Sequence, residues 1–393
     1  TALVIPTEQF PILEHGLYAN HAAIAPWPRA TTEAVSSFAE ENNRIGAEKY
    51  NHWLLREQRL RQNLATMINA VSSSDIALLK NTTEGICTVA GGIDWRRGDN
   101  IVIPKDEFPS NRLPWLALER HGVELREVDI RSTTEPEQAL LERMDANTRL
   151  LSVSAVQWTD GLRLNLEQLG ANCRVSGIMF FVDAIQQLGA LQIDVQACNI
   201  DFLAADGHKW LLSPEGIAVF YCAPSVRDRL QLLQHGWHMV DDYLDFDRQH
   251  WPPSKSALRF EAGSPNMLGQ AAMHASLELL LETGMAEVEA RVMENSRELA
   301  TALEGIRGVE LARAFDAGRV SGIVSFRVPE HRERGQTRAS ANLTAKLHQA
   351  LKQAQIVCAM RGGAIRLSPH FYQAGQPLQR MLADLEMAIK GMD

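Results

Sequence analysis

The chain has little that would suit it to a membrane, a nucleic acid or an oxidising compartment. No apolar stretch is long enough to span a bilayer. The nearest, Leu268 to Leu281, is interrupted by Gln270, His274 and Glu278 and reads as a core helix. The N-terminus lacks a basic region followed by an apolar core, so no secretion signal is predicted. No long run of one charge sign occurs. Basic groups such as His331-Arg-Glu-Arg334 are interrupted by acids, and the net charge of −9 disfavours a nucleic-acid partner. The five cysteines (Cys87, Cys173, Cys198, Cys222 and Cys358) are odd in number and scattered. None has metal-ligand spacing, which predicts free thiols in a reducing cytoplasm and no metal site. Internal repeats and low-complexity tracts are lacking.

What remains is an ordinary soluble composition. With 393 residues, 45% hydrophobic and 22% charged, the chain can bury a large core and divide into one large and one smaller domain. Short apolar runs at Ile76–Leu79, Asn100–Ile103, Leu125–Val128, Leu150–Val156, Ile178–Val182, Phe202–Ala205 and Ile217–Tyr221 read as strands. Pro28–Tyr50, Trp53–Ile68 and Asn111–Arg120 between them read as helices. That alternation predicts an α/β fold, a mostly parallel sheet with helices on both faces. Pro252-Pro253 marks a loop after it, and Asn266 to Thr283 reads as one helix ending before Gly284. From Met285 the pattern becomes helix–strand–helix–strand: Val288–Leu303, Gly322–Val328, Asn342–Gln353 and Ala364–Ser368. The expected division is therefore a large domain over 18–284 and a small α+β domain over 285–393.

Two segments carry chemistry. Asp201-Phe-Leu-Ala-Ala-Asp-Gly-His-Lys-Trp210 places His208 and Lys209 just after a strand-like run, with a second run, Gly216 to Cys222, close behind. A lysine on a short loop between buried strands is desolvated. Its pKa falls, and the neutral amine becomes available to form a Schiff base with an aldehyde cofactor. A surface lysine in a hairpin loop is the alternative. Gly177-Ile-Met-Phe-Phe-Val-Asp-Ala-Ile-Gln186 reads as a buried parallel strand ending in Asp183, at the edge where open α/β sheets bind ligands. Lys209 follows 209 − 183 = 26 residues later. Pyridoxal phosphate needs these two groups together: a carboxylate that keeps the pyridine nitrogen protonated and a lysine that holds the aldehyde carbon. Gln186 is placed to meet the ring's phenolic oxygen. The other reading of Asp183 is a helix N-cap, which is compatible with the first.

Asp183-x-x-Gln186 followed by Asp206-Gly-His-Lys209 resembles the class V aminotransferases. These are fold-type-I pyridoxal-phosphate enzymes that include cysteine desulfurases, kynureninases and isopenicillin-N-epimerase-like proteins. Four further segments match in order: Asn81-Thr-Thr-Glu-Gly85, Glu107-Phe-Pro-Ser-Asn111 with Pro114-Trp115, Arg259-Phe-Glu-Ala-Gly-Ser-Pro-Asn266, and Arg361-Gly-Gly-Ala-Ile-Arg-Leu-Ser-Pro-His370. The resemblance covers nearly the whole chain. It implies a homodimer with a shared active site, acting on a small amino acid, with residues 1–17 packed near the small domain.

The resemblance also distributes roles. Thr82 and Thr83 would hold the phosphate, an assignment supported by the anion affinity of a helix N-terminus. A plain threonine N-cap is the alternative. His208 would contact the phosphate or ring edge, and Ser264 would reach the partner's phosphate. Phe108, an aromatic before a proline, would stack on the ring, although a buried core phenylalanine is commoner. Gln157 and Trp158 would lie near the cofactor's edge. Arg366 would clamp the substrate carboxylate with its two-pronged donor set, a surface ion pair being the other possibility. His21, in Tyr18-Ala-Asn-His-Ala-Ala23, and Trp237 would wall the substrate site. Asp206, an anion near an anion, receives no phosphate role.

One departure bears on the reaction. Cysteine desulfurases place a nucleophilic cysteine on a mobile loop in an Arg-x-Gly-His-His-Cys-like pattern. Here the region reads Gln355-Ile-Val-Cys-Ala-Met-Arg-Gly-Gly363, with Cys358 in an apolar run and no neighbouring histidine. A buried cysteine acting as a small hydrophobe fits better than a persulfide carrier. Transamination and α,β-elimination, including C–S lysis, are the expected reactions, with racemisation sharing their first step. Cysteine desulfuration through Cys358 and a non-catalytic pyridoxal-phosphate scaffold are the alternatives.

Overall fold

Seven apolar runs that the sequence marks as strands assemble into one sheet. In this computed structural model, which describes residues 6–316, 318–329 and 341–391, they follow a short first strand, β1 (Leu17–Tyr18). They are β2 (Ile76–Leu79), β3 (Asn100–Pro104), β4 (Glu124–Val128), β5 (Thr148–Ser154), β6 (Met179–Asp183), β7 (Phe202–Asp206) and β8 (Ala218–Cys222). The order is β2-β8-β7-β6-β5-β3-β4. The pairs from β4 through β7 are parallel, while β8 runs antiparallel to both β7 and β2. All residues of β2, β3, β6, β7 and β8 are buried. Helices cover both faces of a parallel sheet, which is why these strands are continuously apolar rather than alternating.

Two antiparallel steps leave β2 running the same way as β7. Its C-terminal end, the ends of β6 and β7, and the loop entering β8 therefore share one edge. Helix α1 (Arg29–Ile45), α2 (Tyr50–Met67) and α3 (Thr82–Gly92) come early in the chain, and α3 starts at that edge, three residues after β2. Asn81 caps it, its side chain accepting from the Glu84 N–H at 2.9 Å.

Two helices expected from the sequence are broken. The run from Pro28 ends at Ile45, where Gly46 takes φ +58°, and a new helix begins at Tyr50. The segment Asn111–Arg120 is a 3₁₀ turn (Pro109–Asn111), one α-turn (Leu113–Leu116) and a 3₁₀ stretch (Ala117–His121). Pro109 and Pro114 withhold N–H donors there, so no long helix can propagate.

The second sheet uses β9 (Glu310–Leu311), β10 (Val324–Arg327), β12 (Ala359–Arg361) and β13 (Ala364–Leu367) in the order β12-β13-β10-β9, all antiparallel. β11 (Ile356–Val357) instead pairs in parallel with β1. Phe326, Ile365 and Leu367 pack with Leu347 and Leu378 in a second apolar cluster that also takes Leu17 and Ala19. The helix Met285–Glu304 joins the cores: Val288 and Val292 enter the first, Leu299 and Leu303 the second. Residues 1–5 of the N-terminal segment and the cluster His331–Arg334 lie outside the described residues.

Candidate active site

At the shared strand edge lies a cavity of about 440 Å³. Its walls come from distant parts of the chain: Ala22–Ile24, the start of α3 at Asn81–Thr83, Phe108 and Ser110, Trp158, Ile185–Gln186, the loop from Asp206 to Glu215, and Arg361 with Arg366. Thr82, Thr83, Phe108, Gln186, His208, Lys209 and Arg366, all singled out in the sequence, thus line one cavity.

Lys209 is 8% exposed, on the loop between β7 and β8. Burial pulls its pKa down to about 8, against an opposing pull from Asp183. Its Nζ lies 5.5 Å from the centre of the Phe108 ring. Among the described residues the amine makes no hydrogen bond or ion pair. Asp183 is buried beneath the cavity rather than lining it. Burial raises its pKa to about 6, while the Ile185 N–H, donating to Oδ1 at 3.1 Å, works the other way. No cation pairs with it among the described residues. A buried carboxylate and a buried amine, neither in an ion pair among the described residues, fit the protonated ring nitrogen and the aldehyde of pyridoxal phosphate.

Around them the donors are already aimed. The Thr82 hydroxyl accepts from the Asp206 N–H at 3.0 Å, which ties α3 to β7. Thr83 Oγ1 donates to Ser110 Oγ at 2.8 Å. His208 Nδ1 lies 3.0 Å from Asp206 Oδ1. The two atoms are close, but no hydrogen bond joins them. Gln186 is committed by both ends of its amide: Nε2 donates to the Ala22 carbonyl at 3.0 Å, and Oε1 accepts from Trp210 Nε1 at 3.1 Å. It pins the N-terminal segment across the cavity, assisted by the Ala25 N–H on the His208 carbonyl at 2.8 Å.

Phe108 is 38% exposed and faces the cavity, packed edge-on against Trp158 at 5.5 Å. It is therefore not the buried core phenylalanine that its residue type favours. Arg366, on β13, is almost wholly buried. Burial, then Arg361, pushes its pKa down to about 10.

Besides Asp183, four expected residues do not line the cavity. His21 is fully buried, its Nδ1 on the Ser368 carbonyl at 2.8 Å and Nε2 on the Tyr372 hydroxyl at 2.6 Å. With both ring nitrogens engaged it is a structural clasp, and its neighbours Ala22 to Ile24 form the wall instead. Gln157 is buried behind the wall, donating to Glu107 Oε1 at 3.3 Å. Trp237 packs with His238, Tyr243 and Phe246, away from the cavity of its own chain. Ser264 is exposed on the loop before the helix Met267–Thr283.

Glu107, Ser110, Arg361 and Glu215 escaped the sequence reading. Glu107 is fully buried, with its pKa raised to about 7 by burial. It accepts from the Ser154 N–H at 2.6 Å and from the Ser154 hydroxyl. Ser154 stands in register with Asp183 across β5 and β6, so Glu107 braces the strand end that carries the acid. Its signal was an acid in the Glu107–Asn111 segment, beside residues that drew the attention.

The chain matches the Aminotransferase class-V family over residues 17–379. It is 30% identical to a probable cysteine desulfurase of Methanothermobacter thermautotrophicus, over 97% of this chain and 96% of that one. It is 29% identical to a cysteine desulfurase of Salmonella typhimurium, over 82% of each. Among solved structures, the cystine C–S lyase C-DES in complex with its product cysteine persulfide superposes with a TM-score of 0.86. The two are 24% identical, over 96% of this chain and 99% of that one. An apo cysteine desulfurase from Thermococcus onnurineus gives 0.83 at 22% identity over the whole of both. These two structures share the fold, and the family match with the desulfurase relatives carries the assignment: the chain belongs to the aminotransferase class-V family and is a pyridoxal-phosphate-dependent enzyme.

Proposed function

We propose that the protein cleaves a Cβ–heteroatom bond of a small amino acid by α,β-elimination, with C–S lysis as the leading case and no protein thiol taking part. The position of Cys358 carries this reading. It lies between β11 and β12 and packs against the second apolar cluster. Burial drives its pKa up to about 12, so it holds its proton at neutral pH. It does not line the cavity, although Arg361, three residues on, does. Cys87 is exposed but lines a separate cleft with Glu84 and Gln231. Among the described residues no cysteine lines the cavity.

Each remaining residue has a task that its geometry supports. Asp183 holds the ring nitrogen, and Thr82, Thr83 and His208 hold the phosphate at the start of α3. Phe108 packs on the ring. When bound, pyridoxal phosphate supplies an electron sink for the carbon that loses its proton. Lys209, with its lowered basicity, takes the proton from the substrate Cα as general base. Arg366 grips the α-carboxylate and so sets which Cα bond faces Lys209. A leaving group on Cβ then departs without a second protein nucleophile.

The test is to incubate holoenzyme with cysteine, cystine, a β-substituted alanine and alanine, then assay pyruvate, sulfide and oxoacid. Pyruvate equal to the amino acid consumed is expected. Alanine formed from cysteine, with a persulfide left on the protein, would show the desulfurase reaction instead.

We also propose a homodimer whose loop Arg259–Asn266 brings Ser264 to the partner's phosphate. Its exposure in the single chain suits that role. A cytosolic setting fits the five free cysteines. Sedimentation of Ser264→Asp should show a dimer with poor cofactor retention. A fully active monomer would rule the shared site out.

A further inference from the structure

We propose that the mouth of the cavity carries a second anion site built on Arg361, and that the preferred substrate is an amino acid ending in a distal carboxylate. This names the substrate class of the site described above and rests on Arg366 taking the α-carboxylate.

The hairpin dictates the arrangement. Gly362 and Gly363 join β12 to β13 with φ of +57° and +74°. A two-residue loop with both residues left-handed is a type I′ turn, which fixes the register of its strands. Arg361 stands opposite Ala364, and Ala359 opposite Arg366. Alternation puts Arg361 and Arg366 on one face as diagonal neighbours, roughly 7–8 Å apart. Both line the cavity.

Two guanidiniums so placed repel each other, and their field also weakens the hold of Lys209 on its proton. A protein that keeps such a pair normally neutralises it. Here no acid lies within ion-pair distance of Arg361 among the described residues. Its one hydrogen bond donates from Nη1 to the Met360 carbonyl at 2.9 Å. Arg366, buried deeper, is fastened by Nη1 to the Trp158 carbonyl at 2.6 Å. Its Nε is buried without a partner. Arg366 is thus fixed for a carboxylate held close to Lys209, while Arg361 is free at the rim. Ile24, Phe108 and Trp158 line the same cavity and offer apolar surface to a short methylene or sulfur stem. Glu215 is exposed at the same mouth and unpaired with Arg361. It is placed to receive an ammonium if the distal carboxylate belongs to a second amino-acid head group.

Binding can be read without turnover, from the absorbance change when an amino acid is titrated into holoenzyme. L-glutamate, L-glutamine and L-norvaline share their chain and differ in the tail. Wild type should bind L-glutamate roughly tenfold more tightly than the other two, a rim-charge effect that weakens with salt. Arg361→Gln, a change at an exposed position, should erase that preference, with L-norvaline affinity changing far less than L-glutamate affinity. Arg366→Gln should weaken all three alike. If wild type shows no preference, or Arg361→Gln weakens all three equally, the two arginines share one carboxylate and the proposal is wrong. S-carboxymethyl-L-cysteine and L-cystine then identify the tail. Both should lose affinity in Arg361→Gln, and loss of L-cystine alone in Glu215→Gln marks a head group. Because pyruvate is assayed separately, a failure of the elimination reading leaves this binding result standing, and the converse also holds.

Discussion

Arg366 Nη1 donates to the Trp158 carbonyl at 2.6 Å, a bond from the second sheet to the loop after β5 of the first. Trp158 in turn holds Phe108 edge-on at 5.5 Å, and the Phe108 ring lies 5.5 Å from Lys209 Nζ. Arg366, Phe108 and Lys209 are thereby one connected set. Arg366→Leu removes a charge-assisted contact from a desolvated place. Substrate binding should weaken by about 2–5 kcal/mol, while the cofactor's absorbance stays, because no phosphate or ring contact is lost. Loss of the cofactor together with activity would place Arg366 in the cofactor site instead.

Lys209→Ala tests the amine directly. The cofactor should remain bound through Thr82, Thr83 and Asp183 but show the absorption of the free aldehyde. Proton removal from Cα should slow at least about 100-fold, the usual contribution of a positioned general base. An unchanged absorption band would exclude Lys209 as the attachment point.

Much of this was legible in the sequence because the sheet is covered on both faces. Burial leaves apolar runs in the strands other than the edge strand β4, whose Glu124 and Glu127 are exposed, and Asp183 and Lys209 stand out as charges just after such runs. The helix that failed, Asn111–Arg120, failed through Pro109 and Pro114, where the apolar spacing outlasted the hydrogen-bonding capacity. His21 looked like a substrate residue because its partners, Ser368 and Tyr372, lie more than three hundred residues away. Arg361 was invisible as a cavity residue, since only the Gly362-Gly363 turn places it diagonally to Arg366. Trp237 and Ser264 lie outside the cavity of the single chain.

Gly189 makes another prediction. It takes φ +95°, and a Cβ added there would sit 2.3 Å from the Trp210 carbonyl oxygen, next to Lys209. Gly189→Ala must push the lysine loop or twist its own backbone. A loss of about 1–3 kcal/mol is expected from overpacking, with further strain from φ. Lower thermal stability and a shifted cofactor band should appear together. A stable variant with an unchanged spectrum would mean that the two loops separate easily.

Acid should loosen the same region through His370. Its Nε2 donates to the Trp210 carbonyl at 2.9 Å, and its Nδ1 accepts from the Phe371 N–H at 2.8 Å. The neutral ring is therefore required, and burial lowers its pKa to about 4. His21 is lowered in the same direction. A depressed folded-state pKa gives stability that is present above the unfolded value, near 6.5, and is lost as pH falls towards 4. The loss is on the order of 3 kcal/mol for His370. Glu107 and Asp183, both raised, act in the opposite sense, so the comparison needed is between wild type and His370→Asn. Asparagine keeps an acceptor for the Phe371 N–H but does not titrate. The variant should be less stable at neutral pH and lose less on acidification. Parallel pH profiles would exclude His370 as the acid-sensitive group.

Cys358→Ser separates the two ways of breaking a C–S bond. In an elimination, the electrons released at Cα expel the group on Cβ, and sulfur leaves with the substrate's own fragment. In a desulfurase, a protein thiolate attacks that sulfur and must be both ionised and within reach. Cys358 is neither: burial drives its pKa up to about 12, and it does not line the cavity. Serine at this half-buried position replaces a small apolar group with a hydroxyl and should cost at most about 1–2 kcal/mol of stability. Turnover of a β-substituted amino acid should stay within about twofold of wild type, and pyruvate should remain the product. A variant that folds and keeps its cofactor but releases no sulfur from cysteine, with wild-type protein carrying one added sulfur atom on Cys358, would return the enzyme to the desulfurases. It would also require the segment Ile356–Arg361 to leave its places against β1 and β13 during catalysis.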